Sequence, residues 1–310
     1  MSKQLINALK ANINQYIIGK QESVDLLLIA LFAQGHVLIE DIPGIGKTTM
    51  VHALAKTIDL SFNRIQFTPD LMPTDITGFN LYNPKLGDFV FQPGSIMAQL
   101  VLADEINRAS PKTQSALLEA MQEHQVTVDQ VTYPMAKPFM VLATQNPIEY
   151  VGTYPLPEAQ LDRFMLKIRL GYPSFEQEIQ VLDTYAGQQP LDHVQPIAKA
   201  ERILELQKLT EEIFVSETIK AYIIQLITAT RNHPDIKLGG SPRASLMLLK
   251  ASKARALLNH RDYVIAEDVI ALLEPVLGHR LQLQSASRLH QKNMEIVLAE
   301  IVHSVQAPRQ

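Results

Sequence analysis

The chain contains no cysteine and no tryptophan among its 310 residues. The absence of cysteine excludes disulfides, thiolate metal sites and a cysteine nucleophile, and it fits a reducing compartment. The longest apolar run near the N-terminus, residues 26–33, is too short to cross a bilayer of about 30 Å. The first twenty residues show no signal-peptide pattern. These absences predict a soluble, cytoplasmic protein with no membrane segment.

An excess of positive charge is also absent, because 28 basic residues stand against 32 acidic ones and give a formal net charge of −4. Nucleic-acid binding through an extended basic surface is therefore disfavoured, and no zinc-finger or RNA-binding aromatic motif is present. Apolar residues make up 46% of the chain, which is enough for a sizeable core and excludes general disorder. The length predicts roughly two domains.

The first part of the chain alternates short apolar segments with amphipathic helical patterns, which predicts a parallel sheet covered on both faces. Strands are predicted at 36–40, 62–67, 100–104, 139–144 and 165–170. Segments 79–92 and 125–135 interrupt this alternation and are predicted to project from the sheet, the first as a hairpin or a loose loop and the second as a hairpin. The pattern changes at residues 171–173, and every segment beyond residue 196 is predicted helical. We therefore expect an α/β domain over residues 1–172 and a small all-α domain with its connector over residues 173–310.

The sequence DIPGIGKTT, which begins at Asp41, joins a predicted strand to a predicted helix. In this context backbone N–H groups and the helix N-terminus bind an anion, and Gly44 and Gly46 allow the backbone to approach it closely. Lys47 can reach the β- and γ-phosphates, and the Thr48 hydroxyl can ligate Mg²⁺. The generic phosphate loop has glycine where this chain has Asp41, so we expect that carboxylate to point away from a triphosphate. The alternative is an ordinary Gly-Pro turn.

Two further strands are predicted to end in polar residues that suit phosphoryl transfer. Asp104 would hold Mg²⁺, and Glu105 would orient and deprotonate the attacking water. Alone, an acidic strand end is a weak signal, but after a phosphate loop it becomes a strong one. Asn146 could orient that water or touch the γ-phosphate, and its alternative is a turn before Pro147.

Two arginines lie at positions that suggest a phosphate contact. Arg163 ends a short segment before the last predicted strand, and Arg243 lies in the first turn of a predicted helix. A cation at a helix N-terminus opposes the helix dipole, so an anion near Arg243 would explain its position. For each arginine the equally weighted alternative is a surface salt bridge, such as Arg163 with Asp162 or Glu158.

In this order, the motifs resemble the MoxR family of AAA+ ATPases over nearly the whole chain. The acidic residue at position 41 is itself similar to the MoxR form of the loop. The segments that carry the resemblance are DIPGIGKTT at 41–49, TPDLMPTDITG at 68–78, ADEINRASPKTQSALLEAMQE at 103–123, ATQNP at 143–147, LPEAQLDRF at 156–164 and GGSPRA at 239–244.

The resemblance implies a P-loop AAA+ sheet domain, a helical lid, and binding of ATP with Mg²⁺. It implies these roles: Walker A for Lys47 and Thr48, Walker B for Asp104 and Glu105, sensor 1 for Asn146, an arginine finger toward a neighbouring subunit for Arg163, and sensor 2 for Arg243. Segment 17–19 resembles the part that packs on adenine, and the two hairpins resemble a helix-2 insert and a pre-sensor-1 hairpin. The expected nucleotide contacts are Ile18, Gly19, Pro43, Gly44, Ile45, Gly46, Lys47, Thr48 and Thr49.

The same resemblance implies a hexameric ring that matures or activates separate client proteins, which often carry a von Willebrand factor A domain. The main hypothesis is therefore a ring ATPase that remodels protein partners. A nucleic-acid-directed ring motor is the alternative, which the net charge disfavours. A nucleotide sensor without hydrolysis is a third hypothesis, which the presence of Glu105 disfavours.

Overall fold

The computed structural model describes residues 2–42, 44–146, 152–185, 190–289 and 292–308. The chain forms two compact units. The first consists of residues up to Asp25, His36–Leu156 and Ile168–Leu204, and the second of Leu26–Gly35, Pro157–Lys167 and the chain from Glu205 onward. The domain boundary between residues 172 and 173 stays a prediction.

Strands and helices alternate in the described part of the chain much as the apolar patterns predict. The strands there are β1 (Val37–Glu40), β2 (Phe62–Gln66), β3 (Gly78–Asn83), β4 (Asp88–Pro93), β5 (Leu100–Asp104), β6 (Gln125–Val128), β7 (Val131–Pro134), β8 (Met140–Gln145), β9 (Leu166–Ile168), β10 (Ile236–Leu238) and β11 (Gln282–Leu283). The helices are α1 (Ser2–Tyr16), α2 (Gln21–Phe32), α3 (Lys47–Ile58), α4 (Pro73–Thr77), α5 (Pro111–Glu123), α6 (Glu158–Leu161), α7 (Phe175–Tyr185), α8 (Ala200–Glu212), α9 (Glu217–Asn232), α10 (Pro242–Leu258), α11 (Ala266–Ala271), α12 (Leu273–Leu277), α13 (Ser285–Leu289) and α14 (Met294–Ser304), with 3-10 turns at Ile106–Arg108 and Pro190–His193.

The main sheet has five strands in the order β2-β5-β8-β1-β9, and β2, β5, β8 and β1 pair in parallel. Every residue of β5 is buried, as expected for a central strand of a sheet covered on both faces. Because the strands are parallel, their carboxyl ends lie at one edge of the sheet. The residues that follow β1, β5 and β8 are therefore brought together there.

Two antiparallel hairpins, β3-β4 and β6-β7, interrupt the alternation at the two predicted segments. The turn of the second hairpin is made by Asp129 and Gln130, whose φ angles are 47° and 71°. Such left-handed conformations suit the right-handed twist of a short hairpin. Both predicted hairpins are confirmed.

The second unit is mainly helical. One face of α9 is buried, and Ser241 caps α10 by accepting a hydrogen bond from the amide of Ala244, with Pro242 in the first turn. One feature departs from the expectation that every segment beyond residue 196 is helical, because β10 and β11 form a short antiparallel ladder. Strands of two or three residues are too short for a periodic pattern to reveal. Over the described ranges, no helix is both long and apolar enough to cross a membrane.

Candidate active site

The loop between β1 and α3 is built for close backbone approach. Gly44 and Gly46 have φ angles of 85° and 89°, which residues other than glycine rarely adopt without backbone strain. Gly46 is also the N-cap of α3, so the first amides of that helix lie directly after the loop. This arrangement presents N–H groups and a helix dipole to an anion. Pro43, predicted as a nucleotide contact, lies outside the described residues.

The Lys47 side chain is held along this loop. Its Nζ donates hydrogen bonds to the carbonyl oxygens of Asp41, at 2.9 Å, and Ile42, at 3.0 Å. Burial lowers the pKa of Lys47 from its ordinary value, while the nearby carboxylates of Asp104, Asp41 and Glu105 act in the opposite direction. Burial outweighs the attraction of the three carboxylates, so the net pKa of Lys47 is lowered.

A cavity of about 390 Å³ joins this loop to the carboxyl ends of β5 and β8. It unites Lys47, Thr48, Asp104, Glu105 and Asn146, five of the residues predicted from separate sequence motifs. Its lining residues are Gly44, Gly46, Lys47, Thr48, Thr49, Arg64, Gln66, Asp104, Glu105, Thr144 and Asn146.

The carboxylate of Asp104 is buried and has two side-chain partners. One oxygen accepts a hydrogen bond of 2.6 Å from the Thr144 hydroxyl, and the other lies 2.6 Å from Nη2 of Arg64. Neither Arg64 nor Thr144 was predicted from the sequence. A charged residue in the middle of the edge strand β2 is a weak signal by itself, and only the pairing of β2 with β5 places it beside Asp104.

Glu105 follows β5 with a left-handed backbone, at φ 57° and ψ 48°. Non-glycine residues in this region are uncommon and occur often at functional sites. The Glu105 amide donates to the Thr144 hydroxyl, and its carboxylate accepts a hydrogen bond of 2.7 Å from Nε2 of Gln66. Arg108 lies 3.3 Å from the same carboxylate. Gln66 was also missed, although Arg64 and Gln66 lie two residues apart and thus on one face of β2.

A second cavity of about 430 Å³ also borders the phosphate loop, and its lining is mostly apolar, with the charged residues Lys20 and Glu178. Ile18 and Ile45, both predicted as nucleotide contacts, are among its lining residues, and it continues to Gly44, Gly46 and Thr49. Gly19 is not one of the lining residues, but its φ of 74° turns the chain between α1 and α2. The side chains that make the remaining wall include Tyr16, Ile17, Ile42, Met50, Leu170, Tyr172, Pro173, Val181 and Tyr185. A flat apolar group fits such a wall next to a phosphate loop.

The carboxylate of Asp41 turns to the neighbouring backbone. One of its oxygens accepts hydrogen bonds from the amides of Leu170, at 2.6 Å, and Gly171, at 2.8 Å. It does not line the cavity that holds Lys47 and Asp104. The expectation that this acidic side chain points away from the phosphate site is confirmed.

Arg163 and Arg243 belong to the second unit. Both are half-buried, and within the described part of the chain neither guanidinium makes a hydrogen bond or an ion pair. The carboxylate of Asp162 pairs with Arg280, and Glu158 accepts a hydrogen bond from Gln282, so neither acid forms the local salt bridge considered for Arg163.

Comparison with known proteins identifies the family of the two parts of the chain. Residues 36–166 match the ATPase family associated with various cellular activities (AAA), and residues 228–300 match the AAA lid domain. The crystal structure of a protein from Cytophaga hutchinsonii matches with a TM-score of 0.93 and 39% identity, over 99% of this chain and 96% of that one. The fold and the site together therefore define a nucleotide-binding ATPase of the AAA+ class with a lid.

Similarity to individual proteins identifies the family within the AAA+ class. YeaC of Bacillus subtilis is 51% identical over 96% of this chain and 93% of its own length. Chaperone MoxR1 of Mycobacterium tuberculosis is 42% identical over 96% of this chain and 81% of its own length. The chain belongs to the MoxR family of AAA+ ATPases, as its motifs predicted.

Proposed function

We propose that this protein hydrolyses ATP to ADP and phosphate with Mg²⁺, and that it uses the energy to remodel or activate partner proteins. One observation carries the proposal. A single cavity contains the loop lysine Lys47, the hydroxyl of Thr48 and the acidic pair Asp104 and Glu105. These are the groups that in-line phosphoryl transfer to water requires.

Different residues of the chain would bind the phosphates, the base and the metal. The amides of the loop and Lys47 bind the β- and γ-phosphates, while the apolar cavity around Ile18 takes the base. The Thr48 hydroxyl and the Asp104 carboxylate are oxygen donors of the kind that Mg²⁺ prefers, and they line the same cavity. When bound, Mg²⁺ neutralises charge on the phosphate oxygens. Arg64 now pairs with Asp104, so it must share or release that carboxylate when a metal binds.

Glu105 would orient the attacking water and accept its proton. Its Oε2 accepts a hydrogen bond from Nε2 of Gln66, which orients the carboxylate. Asn146 would hold the same water or contact the γ-phosphate. Arg243 would act as sensor 2, and Arg163 would act as an arginine finger toward the nucleotide of a neighbouring subunit.

The finger role requires an oligomer, and we propose a hexameric ring. The relative named Chaperone MoxR1 suggests that the client is a protein. A client with a von Willebrand factor A domain, supplied by a separate protein, and a cytoplasmic location stay predictions from the sequence.

Substitution of Glu105 and Lys47 tests the hydrolytic site. Glu105→Gln should keep ATP binding and lose turnover, because the amide preserves the shape but cannot accept a proton. Lys47→Ala should weaken ATP binding, because it removes the cation that faces the β- and γ-phosphates. Turnover can be measured as phosphate release and affinity with a fluorescent ATP analogue, with and without Mg²⁺.

The matched controls are Glu119→Gln and Lys112→Ala, two exposed residues of α5. Both should behave as the wild-type protein. Wild-type turnover by Glu105→Gln would show that the assigned base is wrong.

A further inference from the structure

Arg280 is a buried cation that lies in neither cavity described above. Its side chain is only 3% exposed, and its Nε donates a hydrogen bond of 2.8 Å to Oδ1 of Asp162. The rest of the guanidinium donates mainly to backbone carbonyl oxygens. These belong to Asp162, at 3.2 Å, Met165, at 3.2 Å, Phe164 and Val276. Burial lowers the pKa of Arg280, and the contact with Asp162 opposes this effect.

Three of these four carbonyls belong to the segment 162–165, on both sides of Arg163. A guanidinium has five N–H donors in a rigid plane, so it can hold several acceptors at fixed relative positions. His279 adds a contact of 3.0 Å between Nε2 and the carbonyl oxygen of Phe164. The backbone around Arg163 is therefore fixed, while its own guanidinium makes no hydrogen bond or ion pair with any described residue.

Asp162 also reaches the helix that carries Arg243. Its second oxygen, Oδ2, accepts a hydrogen bond of 3.4 Å from the Ser241 hydroxyl. Ser241 is the N-cap of α10, and Arg243 lies two residues further, in the first turn of that helix. Asp162 is thus covalently adjacent to Arg163 and in contact with the cap that starts the helix of Arg243, the two arginines whose guanidinium groups have no partner among the described residues.

Stability alone does not account for this arrangement. Replacing a buried ion pair by apolar residues of similar volume is often neutral or stabilising. An apolar replacement cannot donate the hydrogen bonds that now tie the carbonyl oxygens of residues 162, 164 and 165 to one guanidinium.

We propose that Asp162 and Arg280 are positioning residues for Arg163, and that through Ser241 they couple its position to that of Arg243. This inference rests on the proposed role of Arg163 as an arginine finger. In a ring, the coupling would let the nucleotide state sensed by Arg243 change the placement of the finger that acts on the next subunit.

Asp162→Asn tests the proposal with little change of shape. We expect turnover to fall about 10-fold or more at unchanged ATP affinity, because small displacements of a catalytic group are costly. Arg280→Lys should have the same effect, since an ammonium group cannot hold the planar set of acceptors. Mixing either variant with Lys47→Ala protein should restore part of the turnover, because the Lys47→Ala subunits supply intact fingers.

The decisive comparison uses the Arg163→Ala background. If Asp162 acts through Arg163, Asp162→Asn should lower the turnover of Arg163→Ala no further. The matched control is Asp268→Asn, which weakens another buried ion pair of the same unit, Arg261–Asp268 at 2.6 Å. That control should lower the melting temperature and leave turnover per folded subunit unchanged.

The outcomes separate this inference from the proposed function. The inference is wrong if Asp162→Asn and Arg280→Lys turn over as the wild type while Arg163→Ala is inactive. It is also wrong if their effects add to that of Arg163→Ala, if mixing restores nothing, or if turnover is lost only in proportion to folded protein. Wild-type turnover by Arg163→Ala would instead overturn the finger role itself, and this inference with it.

Discussion

At the scale of single residues, the imidazole of His36 is buried and held by two hydrogen bonds. Nδ1 accepts from the amide of Val141 at 3.0 Å, and Nε2 lies 3.0 Å from the carbonyl oxygen of Met121, to which it donates in the neutral ring. Burial lowers the pKa of His36 to about 4, opposed by the hydrogen bond to Met121 and assisted by His124. The folded protein therefore favours the neutral ring, whereas the unfolded chain takes up a proton near the ordinary pKa of about 6.5.

His36 should make the protein less stable as the pH falls. Its stabilising contribution is complete above about pH 6.5 and is lost progressively toward pH 4, because only the unfolded state binds the proton. Between about pH 7 and pH 5 the loss should be about 2 kcal/mol. Denaturant unfolding of wild type and His36→Gln at both pH values measures it, since glutamine cannot titrate. Equal pH dependence in the two proteins would contradict this assignment.

At the scale of elements, the two hairpins support each other. The rings of Phe91 on β4 and Tyr133 on β7 are stacked, with centroids 3.8 Å apart and an interplanar angle of 9°. Nδ2 of Asn80 on β3 donates a hydrogen bond of 2.9 Å to Asp129 at the tip of the second hairpin. A single two-stranded hairpin is marginally stable, so this contact helps to hold both in place.

A double-mutant cycle should detect this support. Phe91→Ala and Tyr133→Ala should each destabilise the protein, and together by about 1 kcal/mol less than the sum, because the stacking is lost only once. The free energy of unfolding from denaturant titration is the measurement. Phe62, whose ring contacts His52, serves as the control partner, and Phe91→Ala with Phe62→Ala should be additive. Additivity of the Phe91 and Tyr133 variants would show that the hairpins are energetically independent.

At the scale of the whole molecule, the proposed ring makes a prediction that a monomeric ATPase does not. Arg163→Ala should fold and bind ATP but hydrolyse it on the order of 10³-fold more slowly, because the arginine stabilises charge in the transition state. Mixed with Lys47→Ala protein, it should regain activity, since some interfaces then contain one intact site and one intact finger. Phosphate release from mixtures of known ratio measures this. No gain in rings shown to be mixed would place Arg163 outside a shared site.

The features that depend on local pattern could be predicted from the amino-acid sequence alone. Alternating apolar segments were sufficient for the sheet strands, and turn residues were sufficient for both hairpins. The caps at Ser174 and Ser241 also depend on local sequence, because each hydroxyl accepts a hydrogen bond from the amide three residues later. The phosphate loop and the acidic strand end were recognisable because each is a continuous motif whose chemistry needs those residues in that order.

Only the tertiary structure decided which distant side chains meet. Arg64 and Gln66 contact the acidic pair because β2 lies beside β5, and strand order is not encoded in either strand alone. The structure likewise assigns Asp162 to Arg280, 118 residues away, and so leaves Arg163 without an ion-pair partner among the described residues. The physical reason is the same in both cases. The hydrogen bonds of a local motif join residues that are close in sequence, so the motif itself predicts them. The pairing of two charges that are far apart in sequence depends on how the whole backbone folds.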